Sequence, residues 1–186
     1  HNDLILVRVT GHFAMFPVYD IARDYTVHRS PQDITLSPGS GSVTIDSNLI
    51  RGNLAGAGDG GGIRIASVNG EELLDENGVL TDSATWYGVS VFNNMVNNNV
   101  AGLAGGGISL HTGADSYDVV KNWVCGNFSQ GSGGIGHLGL SNGGLIEDNA
   151  IIFNESFDQA GPQSGGGIFV GGQPGLQPDA TGLLLS

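Results

Sequence analysis

Apolar and polar residues alternate along this chain in short runs that return at a nearly constant interval. Counted from Asn48, Asn94, Asn122 and Asn149, the residue three before is Ile45, Val91, Val119 or Ile146. The residue two after is Ile50, Val96, Val124 or Ile151, and five before stand Val43, Val89, Tyr117 and Gly144. Such columns, apolar at every second place and largely β-branched, predict half-buried β-strands. No run carries a sustained helical period with caps; the one stretch with room for a helical turn is Gly70 to Leu80.

The runs belong to an internal repeat. Asn48 and Asn53, Asn94 and Asn99, Asn122 and Asn127, and Asn149 and Asn154 are pairs of asparagines five residues apart. Each pair is followed by a glycine cluster and then isoleucine: Gly60 to Ile63, Gly105 to Ile108, Gly133 to Ile135 and Gly165 to Ile168. Successive first asparagines are separated by 46, 28 and 27 residues. The two shorter steps suit single coils of 27–28 residues, and the long one implies an excursion, placed at residues 66–88. The expected fold is all-β, a parallel β-helix with Asn- and Gly-marked turns, forming one domain over residues 1–186.

Asparagine and glycine have physical reasons to recur in such a coil. Asparagine tolerates left-handed backbone angles at sharp turns, and stacked copies can hydrogen-bond one another in the interior. Glycine permits turns closed to other residues and lets coils approach closely. All eight asparagines are therefore assigned to a structural ladder.

With these coils the chain resembles the pectate-lyase-like superfamily of right-handed parallel β-helix repeat proteins, and within it long bacterial surface proteins. The resemblance rests on lines such as Asn48 to Ile65 and Asn94 to Leu110 and covers about residues 43–170. It implies a right-handed helix and a secreted or cell-surface location. It implies no particular activity, because such coils serve lyases, hydrolases, epimerases and adhesins alike. Ile34 to Ser37 and Leu183 to Ser186 look like the starts of further coils, so the chain is read as a piece of a longer solenoid. It opens on His1 rather than Met.

Composition narrows the partners. Glycine supplies 33 of 186 residues, while charged residues make up 13% and hydrophobic ones 39%, enough apolar content for a core. Six Lys and Arg stand against 18 Asp and Glu, a formal charge of −12. That balance argues against nucleic acid and anionic lipid surfaces, and no apolar run approaches the roughly 20 residues of a membrane helix. A single cysteine, Cys125, excludes an internal disulfide.

Chemistry is harder to find. The acids placed for hydrolase work are Asp46, Asp118, Glu147 and Asp148, each also readable as a solvated turn carboxylate. Glu71, Glu72, Asp75 and Glu76 lie in the excursion and read as a solvated loop. Calcium would be the natural ion for Asp59, between Gly58 and Gly60. Its equivalents are read as Ala104 and Ser132, so no array of sites follows, and no metal or other cofactor is expected. His137 falls where other coils place Ile65, Leu110 and Val170, and a register slip turning Leu138 inward is expected. His111 is expected to face solvent, and neither histidine has a sequence partner suggesting a triad. Cys125, aligned with Arg51, Asn97 and Ile152, is read as packing. Trp86, Tyr87, Trp123 and Phe128 are possible sugar-stacking faces.

The function this supports is a structural or adhesive extracellular module that holds a polysaccharide or another surface protein. The rival is a carbohydrate-active enzyme, a polysaccharide hydrolase or lyase, with its site on a coil face or the 66–88 excursion. End-to-end or lateral self-association is a third expectation.

Overall fold

The computed structural model describes residues 38–77, 79–139, 141–157 and 165–171, with the backbone of two short strands at 177–178 and 184–185. Ile34 to Ser37 therefore lies outside the described residues. Four consecutive units follow one another. The first holds β1 (Val43–Asp46), β2 (Leu49–Arg51) and β3 (Ile63–Ile65). The second holds β4 (Val89–Phe92), β5 (Met95–Asn97), β6 (Val100–Ala101) and β7 (Ile108–His111). The third holds β8 (Tyr117–Val120), β9 (Trp123–Cys125), β10 (Phe128–Ser129) and β11 (Ile135–Leu138). The fourth holds β12 (Leu145–Glu147), β13 (Ala150–Ile152), β14 (Glu155–Ser156) and β15 (Ile168–Gly171).

Corresponding strands pair across units to give four parallel sheets, ordered β1-β4-β8-β12, β2-β5-β9-β13, β6-β10-β14 and β3-β7-β11-β15. We call these sheets A, B, C and D in that order. The first two preserve the asparagine spacing: Ile45 pairs Val91, which pairs Val119, which pairs Ile146. Sheet D follows the glycine clusters, with Ile63, Ile108, Ile135 and Ile168 in one row. The inward columns close on a single core that includes Val91, Val96, Ile108, Leu110, Val119, Val124 and Ile135, all fully buried. Burying such a side chain stabilises by about 1.5–3 kcal/mol, so the core lies in the middle units. The outer units leave part of theirs open, with Val43 40% and Val170 66% exposed, although Ile63 and Ile65 of the first unit stay buried.

Two corners recur without change in length. Between sheets A and B each unit spends two residues, a left-handed one and then asparagine. The left-handed residues are Ser47, Asn93, Lys121 and Asp148. Between sheets B and C the same pair of conformations recurs, with Gly52, Asn98, Gly126 and Phe153 left-handed. The links from C to D and from D to A vary instead. Sheet D steps by 27 residues from Ile108 to Ile135, then by 33 to Ile168.

The glycine clusters have two separate duties. Gly62, Gly107 and Gly134 stand inside, each about 3.0 Å, measured from an added Cβ, from the Nδ2 of Asn99, Asn127 or Asn154 in the following unit. A side chain there would collide with the second row of asparagines, which accounts for glycine and asparagine recurring together. Gly60 and Gly105 instead turn, left-handed, over the outward residues Arg64 and Ser109. In the third unit the arrangement is exchanged: Ser132 takes the turn position, and Gly136 takes the outward one. A Cβ on Gly136 would run into the Ser132 hydroxyl.

The excursion leaves the stack late. Ser67 and Val68 still donate to the carbonyls of Thr112 and Gly113 in the next unit, at 3.2 and 2.8 Å. Beyond them come a 3-10 turn at Glu71–Leu73, a bridge between Leu74 and Leu80, and a second 3-10 turn at Ser83–Thr85. Gly70 to Leu80 thus holds one tight turn and an antiparallel bridge, because Asp75 accepts from the N–H groups of Asn77 and Val79 and turns the chain back. At the other end β17 (Leu184–Leu185) pairs antiparallel with β16 (Gln177–Pro178). Leu184–Leu185 therefore does not join the parallel sheets in the way another coil would.

Candidate functional site

The eight asparagines occupy the two fixed corners. At the first, Nδ2 of Asn48 donates to Oδ1 of Asn94 at 3.1 Å, Asn94 to Asn122 at 3.0 Å, and Asn122 to Asn149 at 3.0 Å. At the second, Asn53 donates to Asn99 at 2.9 Å, Asn99 to Asn127 at 3.0 Å, and Asn127 to Asn154 at 2.8 Å. Each accepting Oδ1 also takes the backbone N–H of the donor asparagine. The remaining amide hydrogen reaches a carbonyl of the previous unit, as from Asn99 to Ile50 and from Asn127 to Val96. Asn94, Asn99, Asn122 and Asn127 are buried. Their amides are fully used in joining units, leaving no donor for a ligand.

Of the carboxylates proposed for acid–base work, Asp46 is held apart from Glu147, while Asp118 and Glu147 lie diagonally on the paired strands β8 and β12. Asp46, Asp118, Glu147 and Asp148 are all exposed. Asp46 and Glu147 share an outward column, but Phe92 and Val120 stand between them. Three strand spacings amount to about 14 Å, beyond the roughly 5–9.5 Å at which two carboxyl groups share a glycosidic bond.

The densest polar cluster lies elsewhere, on the outer face of sheet D. Ser109 and His111 are two apart on β7 and so project from the same face. The Ser109 hydroxyl lies 2.5 Å from Nε2 of His111, and Asp59 Oδ2 lies 3.4 Å from the same nitrogen. Asp59 Oδ1 accepts from the Ala104 N–H at 3.0 Å, which fixes the loop that covers the histidine. His111 thus faces this covered cluster instead of open solvent, and it does have a serine partner. The period-two face was the signal available in the sequence.

This cluster is not a nucleophilic triad. A triad sets hydroxyl and carboxylate on opposite ring nitrogens, so that one orients the base the other uses. Here both approach Nε2, and Ser109 is fully buried. Burial pushes the His111 pKa down, Asp59 pulls it up, and Arg64 and His137 add to the lowering. The net is a histidine held neutral, accepting or donating one hydrogen bond under a loop.

Asp59 has committed both oxygens to protein groups. Its row also differs from the sequence expectation: Ile63, Ile108 and Ile135 are in register, which sets Gly131 rather than Ser132 opposite Ala104. Among the described residues no three His, Cys, Asp or Glu side chains gather as metal ligands.

His137 corrects another expectation. It pairs Leu110 on one side and Val170 on the other, so the register does not slip and Leu138 stays in the row of His111. The imidazole takes a core position because Nδ1 lies 2.7 Å from the hydroxyl of Tyr117, itself 4% exposed. Burial lowers the His137 pKa, against a backbone hydrogen bond at Gly139 that raises it, and burial raises that of Tyr117.

On sheet B the outward column reads Leu49, Met95 and Trp123, exposed by 64%, 49% and 43%. Beside it run Arg51, Asn97, Cys125 and Ile152 in register. Of the four aromatics proposed for stacking, Trp123 alone is exposed. Phe128 stacks on Phe157 with centroids 4.7 Å apart, Trp86 donates to Thr81, and Tyr87 packs on the core.

No protein-family model, curated protein or solved structure matches the chain. The likeness to pectate-lyase-like proteins gains nothing from these comparisons, and the four parallel sheets stand as the firm statement of fold. Among the described residues no helix is long and apolar enough to cross a membrane.

Proposed function

We propose that the chain is a segment of a right-handed parallel β-helix that serves as a structural or adhesive module outside the cell. What supports this is the use made of its polar interior. Eight asparagines are spent on joining one unit to the next, while the candidate acids are exposed on the surface. The open column of Leu49, Met95 and Trp123 on sheet B is the surface best suited to a partner, a polysaccharide or another surface protein.

A panel of soluble polysaccharides, scored both for binding and for new reducing ends or unsaturated products, tests the reading. Binding without turnover, weakened at least several-fold by Trp123→Ala, is the expected result. Turnover abolished by Asp148→Asn would establish an enzyme and end the adhesive reading.

A further inference from the structure

We propose that His137 and Tyr117 form an acid-sensitive joint that holds the fourth unit against the third and lets it open when the imidazole takes up a proton. His137 stands in an inward column of sheet D. Its other members, Ile65, Leu110 and Val170, are apolar, so the core offers an imidazolium at this place little to replace water. Among the described residues the side chain hydrogen-bonded to the ring is a phenol, which carries no compensating charge, and only the Gly139 backbone favours the charged form.

The fourth unit fits this pair through an absence. Opposite Tyr117 it places Gly144, and an added Cβ there would collide with the tyrosine ring, 2.3 Å from its Cε1 and Cζ. The Tyr117 ring therefore fills the space that a side chain of β12 would occupy, and the fourth unit sits on the ring. Val170, above His137, is 66% exposed. A charged imidazole thus has a short way out, through the seam between the third and fourth units.

Among the described residues no carboxylate is hydrogen-bonded to the His137 ring. On β7, His111 is a second base, engaged with Asp59 and with Arg64 nearby. In the turn before β8, Asp115 accepts from the Asn142 N–H. Gly144 and Val170 of the fourth unit carry no charge. Sheets A and B hold the same seam through backbone pairs and the Asn122–Asn149 and Asn127–Asn154 contacts, none of which titrates.

The direction follows from linkage. Burial lowers the His137 pKa below its ordinary 6.5, and an opened seam restores it. The joint is therefore at full strength above about pH 6.5 and weakens as pH falls toward the lowered value. One proton taken up on opening makes the open state up to roughly tenfold more populated per pH unit in that window.

Hydrogen exchange, corrected for the intrinsic pH dependence of the amides, reads this unit by unit. Between pH 7.5 and 5.5, protection in Leu145–Glu147 and Ile168–Gly171 is expected to fall several-fold or more, with Met95–Asn97 unchanged. His137→Leu, which restores the apolar column, is expected to abolish the fall, and pairing it with Tyr117→Phe removes the stranded hydroxyl. Loss of protection that persists in the double variant, or that spreads equally to Met95–Asn97, would overturn the joint.

Discussion

Asn127, at a corner of the third unit, and Asp82, before a 3-10 turn of the excursion, each accept a backbone N–H through Oδ1. The donor to Asn127 is Asn99, 28 residues back, whereas the donor to Asp82 is Ala84, two residues on. The contrast holds across both regions. In the stacked units polar side chains bond to their counterparts one unit along. In the excursion Asp75 serves Asn77 and Val79, and Trp86 serves Thr81. One region is held mainly by contacts between units, the other mainly by local turns, with Glu72 tying it back to Gly39.

Removing one member from each region should break the symmetry most sharply. Asn127→Leu strands the N–H and Nδ2 of Asn99 and the carbonyl of Val96. At 1–3 kcal/mol for each buried unpaired group, a loss of about 3 kcal/mol or more is expected. Asp82→Ala, exposed and local, should cost no more than about 1 kcal/mol. Urea denaturation of both variants settles the ranking, and equal losses would erase the distinction.

The exchange of glycine and side chain in the third unit allows a finer test. Gly136→Ala brings a methyl onto the Ser132 hydroxyl, an overpacking worth about 1–3 kcal/mol. Adding Ser132→Gly should relieve the clash, as the second and first units tolerate side chains beneath Gly105 and Gly60, but less than fully, because Ser132 also accepts the Gly105 N–H at 2.9 Å. A thermodynamic cycle with no coupling between the two sites would mean that they do not share the space.

The smallest effect separates the regions by pH. Glu72 accepts from Gly39 at 2.8 Å and Gly70 at 2.8 Å, clasping the excursion to the start of the first unit. Desolvation raises its pKa, but the N–H groups of Gly70 and Gly39 outweigh that and hold it below 4.5. The clasp is complete above that value and lost as pH falls through the lowered one. Amide exchange at Gly39 and Gly70 should rise there in the native chain, while Glu72→Gln shows the loosened rate at every pH. A native profile flat to pH 3 would remove the clasp.

The difference also decides what the sequence disclosed. The strand columns were legible because Ile45, Val91, Val119 and Ile146 repeat one constraint four times, and repetition separates packing from chance. The excursion occurs once, so Asp75 and Asp82 had no counterpart to mark them, and Gly70 to Leu80, the stretch with room for a helical turn, holds a 3-10 turn followed by a bridge. His137 was misjudged for the opposite reason. A polar residue in an apolar column looked like a slip, and only Tyr117, 20 residues away, makes the site habitable. Ser109 was missed as a partner because the loop that buries it, through Asp59 and Gly105, comes from other parts of the chain.

The two corners of constant length carry a consequence for engineering. A residue added between Asn94 and Asn99 would put the two rows of asparagines out of step and turn side chains of the strand between them to the wrong face. Additions between sheets C and D or between D and A meet no such gauge, and both links already differ in length from unit to unit. Doubling a loop there costs only about 0.6 kcal/mol in closure entropy. Foreign segments should therefore be accepted along one flank of the molecule and refused along the other, which makes the chain a one-sided display scaffold.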